Sequence, residues 1–317
     1  MLDWRRATAL FPGQGSQALG MAADIAREYP IARDTFAEAD EILGYSLSEI
    51  CWQGPADMLD QTVHTQPALY VSSLAIWRVL RDLLPAAQPA WLAGHSLGEL
   101  SALTAAGALD FADGLRLVRA RGSLMQRAGE AQPGAMAAVL GLEIDVVREL
   151  CAAMAAESGG TVVLANDNCP GQAVVSGEVS AVDALINAAR SAGARRALRL
   201  AVSVAAHSPL MAAAQADFHA AVQATEFSKP TIPIIGNVNA QPLHTTDQIR
   251  AELHQQLTQP VRWTESMTAL LDIGTHTFVE IGSGKVLTGL LRRINRQAMR
   301  INIDSLAALE LFLGAQA

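Results

Sequence analysis

The sequence predicts an α/β protein, with a core built on a short parallel sheet flanked by helices and a small ferredoxin-like domain inserted into that core. The first observation behind this prediction is an alternation of short apolar segments with longer segments in which apolar residues recur at helical spacing. The strand-like segments are residues 7–11, 90–93 and 277–281, and the helix-like segments are residues 18–28, 68–83 and 111–128.

The second observation is a different order of elements in the middle of the chain. Four strand-like and two helix-like segments follow one another as β-α-β-β-α-β, which is the ferredoxin-like arrangement. We therefore expect residues 131–200 to form the inserted domain, and residues 1–130 and 201–317 to form the core domain. The strand-like segments are residues 135–142, 162–165, 172–176 and 196–200, and the helix-like segments are residues 146–157 and 181–192.

The composition is that of a globular protein with a sizeable core, because half of the 317 residues are hydrophobic and 17% are charged. We expect neither a signal peptide nor a membrane span, since no apolar run is long enough for either. The three cysteines form no C-x-x-C pair, so we expect neither a disulfide framework nor a metal site. Reduced cysteines fit a cytoplasmic location, which we also expect. The net charge of −8 argues against nucleic acid as a partner.

The pentapeptide GHSLG at residues 94–98 is the most informative motif of the chain. An apolar strand precedes it and a helix-like stretch at residues 100–108 follows it, which is the setting of a nucleophile elbow in an α/β hydrolase-like core. The two glycines permit a tight turn, so the hydroxyl of Ser96 would stand at its tip. Ser96 and Glu99 also match the S-x-x-E pattern of a capping box, in which Ser96 would only cap the helix.

A serine nucleophile needs a base, and His207 is the best placed of the seven histidines. It follows a strand-like segment and precedes Ser208 and Pro209, which suit a helix cap and a first helical residue. Active sites of α/β proteins form at such strand ends. We expect His95 to pack rather than to act as the base, because neighbouring side chains leave a tight turn in different directions.

Arg121 lies at the centre of an apolar stripe on the helix predicted for residues 111–128. An arginine in this position must reach solvent or meet an anion, because burying its charge without a partner is costly. An internal Asp or Glu is the commoner partner, and a substrate carboxylate gripped by the planar guanidinium is the alternative. The residues that surround it at about 100° per residue are Leu117, Val118, Leu124 and Met125.

Two glycine motifs do not fit nucleotide binding. Residues 13–18 match G-x-G-x-x-A, but the acidic residues about 20 positions further on, Glu38 and Asp40, lie in a helical pattern. Residues 282–285 resemble half of a P-loop, but they lack its first glycine and its closing Ser or Thr. We therefore expect no tightly bound cofactor.

Segments along nearly the whole chain, taken in order, resemble the malonyl-CoA:acyl carrier protein transacylases and related acyltransferase domains. There are two small departures: Ala206 stands where a serine often precedes the histidine, and Ser283 replaces a frequent proline. The matching segments are FPGQGSQ at 11–17, TQPA at 65–68, GHSLGE at 94–99, Arg121-Gly122, residues 166–170 with Gln172, His207, Gln256, PVRW at 260–263 and KVLTGL at 285–290.

The resemblance implies roles for the reacting residues. Ser96 would be the nucleophile that becomes malonylated. His207 would take the serine proton and later activate the incoming thiol, oriented by a main-chain carbonyl near Gln256 rather than by an aspartate.

The resemblance also implies roles in binding. Gln14 and the main-chain N–H of Leu97 would form the oxyanion hole. Arg121 would bind the malonyl carboxylate, and Asn166 would line the cleft from the small domain, with Gln256 beside the substrate.

The substrates implied are malonyl-CoA and the phosphopantetheine thiol of an acyl carrier protein, in fatty acid or polyketide synthesis. Carrier proteins are acidic, as this chain is overall, so docking requires a local positive surface. A solvated helix face is the alternative reading of that surface. The candidate docking residues are Lys285, Arg292, Arg293 and Arg296.

Other functions stay open at this point. The malonyl transferase subunit of a malonate decarboxylase would use the same chemistry with a different carrier. A serine thioesterase or esterase shares the elbow but has no need of an arginine on an apolar helix face. The intact Ser96 and His207 argue against a carrier-binding scaffold that has lost its catalytic activity.

Overall fold

The computed structural model describes residues 2–202 and 204–316. A six-stranded sheet lies at the centre of the fold. Met1, Ser203 and Ala317 fall within the two predicted core segments and lie outside the described residues. The strands are β1 (Ala7–Phe11), β2 (Trp91–Gly94), β3 (Gly134–Leu140), β4 (Val162–Cys169), β5 (Gln172–Glu178), β6 (Arg196–Arg199), β7 (Ile234–Ile235), β8 (Pro242–Leu243), β9 (Thr277–Ile281) and β10 (Met299–Ile303).

Helices pack around the sheets and supply most of the residues of the main apolar cluster. They are α1 (Ala23–Glu28), α2 (Pro30–Leu43), α3 (Leu47–Gln53), α4 (Ala56–Leu59), α5 (Thr62–Leu83), α6 (Gly98–Ala105), α7 (Phe111–Ala131), α8 (Ile144–Ser158), α9 (Val179–Ser191), α10 (Ala212–Ala224), α11 (Thr246–Leu253), α12 (Trp263–Asp272), α13 (Val286–Ile294) and α14 (Leu306–Gly314). No helix of the described residues is long and apolar enough to cross a membrane.

The core sheet has the strand order β10-β9-β1-β2-β7-β8. Every pair is parallel except β7 with β8, which confirms the predicted α/β class. Because β1 and β2 are parallel neighbours, the loops after Phe11 and Gly94 leave the same edge of the sheet. The FPGQGSQ segment and the GHSLG turn are thereby placed side by side.

A second, four-stranded antiparallel sheet is formed by the middle of the chain, in the order β4-β5-β3-β6. Its strands and helices α8 and α9 follow one another in the predicted β-α-β-β-α-β order and enclose an apolar cluster of their own. It joins the core through main-chain bonds from Val261 N–H to Ala165 (2.9 Å) and from Asp167 N–H to Val261 (3.0 Å). The proposed boundaries of the inserted domain, at residues 131–200, stay a prediction.

Two predicted helix starts are wrong for identifiable reasons. Helix α1 begins at Ala23 rather than at residue 18, because Gly20 and Ala22 have positive φ angles of 83° and 58° that interrupt a helix. Helix α5 begins at Thr62 rather than at residue 68 and carries Pro67 inside it. Proline lacks the N–H that a helix interior uses, which is why the prediction began after it.

We expect Gly94→Ala to lower the free energy of unfolding by about 3 kcal/mol, the upper end for overpacking a close contact. A Cβ on Gly94 would lie 1.9 Å from the carbonyl oxygen of Gly98. The matched control is Gly289→Ala on α13, where a Cβ meets nothing within 4 Å and alanine should stabilise the helix by about 0.5–1 kcal/mol. Urea unfolding measures both, and equal effects would contradict this account of the elbow.

Candidate active site

Ser96 lies at the tip of the sharp turn between β2 and α6, with φ at +52°. A left-handed backbone at a non-glycine residue is strained and occurs where surrounding contacts hold it. The turn is packed against the loop after β1, since a Cβ on Gly98 would lie 2.0 Å from the carbonyl oxygen of Phe11. Ser96 does not cap α6, whose N-terminus has no side-chain cap. The elbow geometry therefore leaves the hydroxyl free for other contacts.

The first of those contacts is His207, whose Nε2 lies 2.9 Å from the Ser96 hydroxyl oxygen. The imidazole Nδ1 lies 2.8 Å from the main-chain oxygen of Gln256 and 3.1 Å from that of Gln259. Because a carbonyl only accepts, Nδ1 carries the proton, and Nε2 of the neutral ring faces Ser96 as an acceptor. The structure brings the predicted nucleophile and base into contact without an aspartate.

Backbone strain and burial both act on His207. Its φ is +57°, so the serine and the histidine both have left-handed backbones. The segment after it turns into a short 3₁₀ helix, where the hydroxyl of Ser208 accepts the N–H of Leu210 and Pro209 occupies the first position, as predicted. Burial, together with the charges of Arg121 and His95, lowers the pKa of His207 from 6.5 to about 3. The imidazole is therefore neutral at physiological pH.

Arg121 is the third member of the cluster and is almost completely buried, at 1% exposure. Its guanidinium donates to the side-chain oxygens of Gln66 (2.8 Å) and Gln256 (3.0 Å) and to the Ser96 hydroxyl (3.1 Å). It forms no salt bridge with any carboxylate of the described residues. The commoner arrangement, an internal ion pair, is thus not the one observed. Burial lowers the pKa of Arg121 to about 10, so the cation persists at neutral pH.

Asn237, which was not predicted from the sequence, clamps the elbow from the β7–β8 side. Its Oδ1 accepts the N–H of Ser96 (2.7 Å) and its Nδ2 donates to the main-chain oxygen of Gly94 (2.8 Å). Gln256 acts in a similar way, since its Nε2 donates to the main-chain oxygen of Ser96 (3.2 Å). The strained turn is therefore held on both sides by buried amide side chains.

The main-chain N–H groups of the elbow and of the adjacent loop after β1 divide into those that donate a hydrogen bond and those that do not. That of Ser96 is taken by Asn237. Those of Leu97 and Gln14 donate to no acceptor within residues 2–202 and 204–316. Leu97 stands at the N-terminus of α6, where the helix favours negative charge. The side chain of Gln14 is exposed and lies 3.4 Å from the hydroxyl of Thr62. These positions suit the predicted oxyanion hole, which stays a prediction.

Two asparagines of strand β4 differ in what they contact. Asn166 is buried and its backbone forms a bridge with Val261; its predicted place on the cleft wall stays a prediction. Oδ1 of Asn168 accepts a hydrogen bond of 2.8 Å from Nε2 of His95, whose ring also packs edge-on against Trp263. His95 is thus held away from the Ser96 hydroxyl, as expected.

The predicted docking residues Lys285, Arg292, Arg293 and Arg296 are all exposed on or beside α13. Arg293 also has an internal role, because its guanidinium donates to the side chain of Gln172 and to the main-chain oxygens of residues 170 and 171. It ties α13 to the β4–β5 hairpin. No group of three or more potential metal ligands is gathered in the described part of the chain.

A family model of the acyl transferase domain matches residues 8–309. The chain belongs to the acyl transferase domain family. Within this family it is 44% identical, over 96% of this chain and 98% of the relative, to the malonyl CoA-acyl carrier protein transacylase of Haemophilus influenzae. It is 46% identical to that of Escherichia coli K12, over 90% of this chain and 91% of the relative.

Solved structures of acyl transferase family members match the fold closely. The malonyl-CoA:acyl carrier protein transacylase of Xanthomonas oryzae superposes with a TM-score of 0.94 at 43% identity, covering 98% of each chain. A malonyl-transacylase in complex with its type II polyketide synthase acyl carrier protein gives a TM-score of 0.93 at 42% identity, covering 98% of this chain and 99% of that one.

We expect Asn237→Ala to lower the free energy of unfolding by about 2 kcal/mol, because it leaves two buried backbone groups at the elbow without partners. It should also slow acylation of Ser96 by an active ester such as p-nitrophenyl acetate. The control is Asn302→Ala, which removes one side-chain bond to the main-chain oxygen of Gly284. Similar losses of Ser96 reactivity in both variants would contradict the clamp.

The pH dependence of Ser96 acylation follows from the lowered pKa of His207. Protonation at Nε2 would remove the acceptor, so the rate should fall only as the pH approaches the lowered value. We expect the rate with the same ester to stay constant down to about pH 5. A midpoint near the ordinary histidine value of 6.5 would show that the imidazole is not held neutral as described.

Proposed function

We propose that this chain transfers a malonyl group from malonyl-CoA to the phosphopantetheine thiol of an acyl carrier protein, through an ester on Ser96. The observation that carries the proposal is the position of the Ser96 hydroxyl, 2.9 Å from the base His207 and 3.1 Å from the buried cation Arg121. The names of the relatives in the acyl transferase family point to the same reaction. A malonate decarboxylase subunit and a serine thioesterase or esterase are not favoured by those names.

In the first half-reaction, the Ser96 oxygen attacks the thioester carbon while its proton moves to Nε2 of His207. The oxyanion forms beside the free N–H groups of Leu97 and Gln14, and such donors contribute about 2.7–4 kcal/mol each in other enzymes. The C–S bond then breaks, and the proton leaves with coenzyme A. In the second half-reaction, neutral His207 takes the proton of the carrier thiol, whose sulfur attacks the ester carbon. The C–O bond of the ester then breaks as Nε2 returns the proton to the Ser96 oxygen.

Arg121 selects the acyl group in this proposal. Its partners Gln66, Gln256 and Ser96 are neutral, so the positive charge has no carboxylate of its own in the described residues. A malonyl carboxylate supplies the missing negative partner, whereas an acetyl group leaves the guanidinium without one. A cavity that merely hydrolysed esters would need no such cation, which is why transfer of a dicarboxylic acyl group is favoured over general esterase activity.

Malonyl-CoA and the carrier protein are the substrates, and no resident cofactor has a step in this mechanism. Docking of the acidic carrier at the surface formed by Lys285, Arg292, Arg293 and Arg296 is part of the proposal. So is a cytoplasmic location, which the three free, buried cysteines suit.

The acyl-enzyme provides the first test. Brief incubation with malonyl-CoA should add one malonyl group, seen by intact-mass measurement and mapped to Ser96. Ser96→Ala should give no adduct. Ser101→Ala on α6, the helix that follows the elbow, removes a buried hydroxyl that has no hydrogen-bond partner in the described residues, and should load normally. A malonyl adduct on another residue, or hydrolysis alone, would refute the proposal.

Selectivity provides the second test. Arg121→Ala should lower kcat/KM for malonyl loading by about 10- to 150-fold, the equivalent of losing a charge-assisted bond of about 1.5–3 kcal/mol, while acetyl loading falls less. The control is Arg116→Ala on the same helix, an exposed arginine paired with Asp113, which should change neither rate. Equal losses for malonyl and acetyl would remove Arg121 as the selector.

Carrier docking provides the third test. Replacing Arg292 and Arg296 with glutamate should raise KM for the carrier protein and leave malonyl loading from coenzyme A unchanged. Arg293 is left in place because it also anchors the β4–β5 hairpin. Arg33→Glu, an exposed arginine on α2, is the control for net charge. If both half-reactions decline together, the carrier docks elsewhere.

A further inference from the structure

Two buried carboxyl groups lie side by side beneath the elbow. Glu99 on α6 is fully buried, and Glu252 on α11 is 3% exposed. Glu99 accepts the N–H of Asn237 (3.0 Å) and Glu252 accepts the N–H of Val238 (2.6 Å). The two side chains lie within hydrogen-bonding reach of each other, and the N–H of Asn237 also acts on Glu252. Neither carboxyl forms a salt bridge within residues 2–202 and 204–316.

Two carboxylates in contact in a buried site do not both ionise at neutral pH, since like charges there repel strongly. Burial and the neighbouring Glu252 raise the pKa of Glu99 well above its ordinary value. Burial also raises the pKa of Glu252, but the N–H groups of Val238 and Asn237 favour its charged form. Hydrogen bonds from Gln256 and Asn237 favour the charged form of Glu99 in the same way, so the pair as a whole holds one proton and carries one negative charge.

Glu99 is bonded to the two residues that hold the active site. Asn237, whose side chain clamps Ser96, donates its own N–H to Glu99. Gln256 donates its Nε2 to the other oxygen of Glu99. The same Gln256 accepts from Arg121 and, through its main-chain oxygen, from Nδ1 of His207. Each reacting group is thus one residue away from Glu99.

We propose that Glu99 and Glu252 share a single proton and act as a positioning pair, which holds Asn237 and Gln256 in place and limits the buried negative charge behind Arg121 to one. This role rests on the proposed malonyl transfer. Neither glutamate touches the substrate; both act through Asn237, Gln256 and Arg121.

The limit on charge matters because a negative charge on Glu99 acts directly on the Arg121 cation and raises its pKa. The other titratable groups of the site are His207, on the loop before the 3₁₀ helix, and His95 in the elbow; both are buried imidazoles whose pKa is lowered. A second negative charge would compensate Arg121 from inside and compete with the malonyl carboxylate. Loss of the shared proton should therefore weaken binding of malonyl-CoA at alkaline pH.

The test compares KM for malonyl-CoA across pH in the wild type, Glu99→Gln and Glu252→Gln. Each variant limits the pair to one negative charge, whatever the pH. We expect KM to rise by about tenfold at alkaline pH in the wild type, from one added charge at close range, and to stay flat in both variants over the range below the lowered pKa of Arg121. At neutral pH, Glu99→Gln should retain more kcat than Glu99→Ala, because glutamine can still bond to the same neighbours.

Glu280→Gln is the matched control, because Glu280 is also a buried carboxyl bonded to two main-chain N–H groups, those of Leu287 and Thr288. It should keep the wild-type pH profile. An alkaline rise that persists in both Glu99→Gln and Glu252→Gln would overturn the proposal, and if one of them fails to fold, the other decides.

Infrared spectroscopy at neutral pH tests the shared proton without turnover. The wild type should show the carbonyl stretch of a protonated carboxylic acid that is lost in Glu99→Gln and kept in Glu280→Gln. A spectrum unchanged by Glu99→Gln would overturn the shared proton. Because this measurement needs no substrate, its result is distinguishable from a failure of malonyl transfer itself.

Discussion

The buried positive charge of Arg121 is the constraint on which the rest of the site depends. A guanidinium removed from water without a carboxylate bonded to it is costly, and among the described residues this one is bonded to two amide oxygens and a hydroxyl. That arrangement makes sense where an anion arrives from outside. The cation also points to the hydroxyl of Ser96, so that a ligand gripped by its carboxylate presents its other end to the nucleophile.

The scaffold meets this constraint with amide side chains brought together from distant parts of the chain. Gln66 comes from α5, Asn237 from the loop after β7, and Gln256 from the segment after α11. Gln256 contacts the cation with its side-chain oxygen and the imidazole with its main-chain oxygen. Neutral partners orient both groups without cancelling the charge of the one or raising the proton affinity of the other, as an aspartate would.

Local patterns predicted much of this arrangement. Strands β1 and β9 match their predicted limits because each is a short apolar run bounded by polar or turn residues. The elbow was recognisable because its glycines and serine are contiguous, and the burial of Arg121 followed from helical spacing. The resemblance to a known family then connected Ser96, His207 and Arg121, which are far apart in sequence.

What the sequence could not predict are contacts between residues that no local pattern links. Asn237 lies in a loop, 141 positions from the serine N–H that it accepts. Glu252 lies on the buried side of an ordinary amphipathic helix, where nothing indicates that it faces Glu99. The commoner outcome for an arginine in an apolar stripe, an internal ion pair, is not observed for Arg121, because its hydrogen-bond partners are two amide side chains and a hydroxyl. Arg293 similarly looked like a surface charge and is a tie to the small sheet.

The most direct measurement of the central claim is a crystal structure of the malonylated protein. If Arg121 is the receptor for the acyl carboxylate, both carboxylate oxygens should lie within about 2.7–2.9 Å of guanidinium nitrogens, as in other charge-assisted pairs, with the ester on Ser96. A malonyl group whose carboxylate points to solvent, while Arg121 keeps only its bonds to Gln66 and Gln256, would contradict the account.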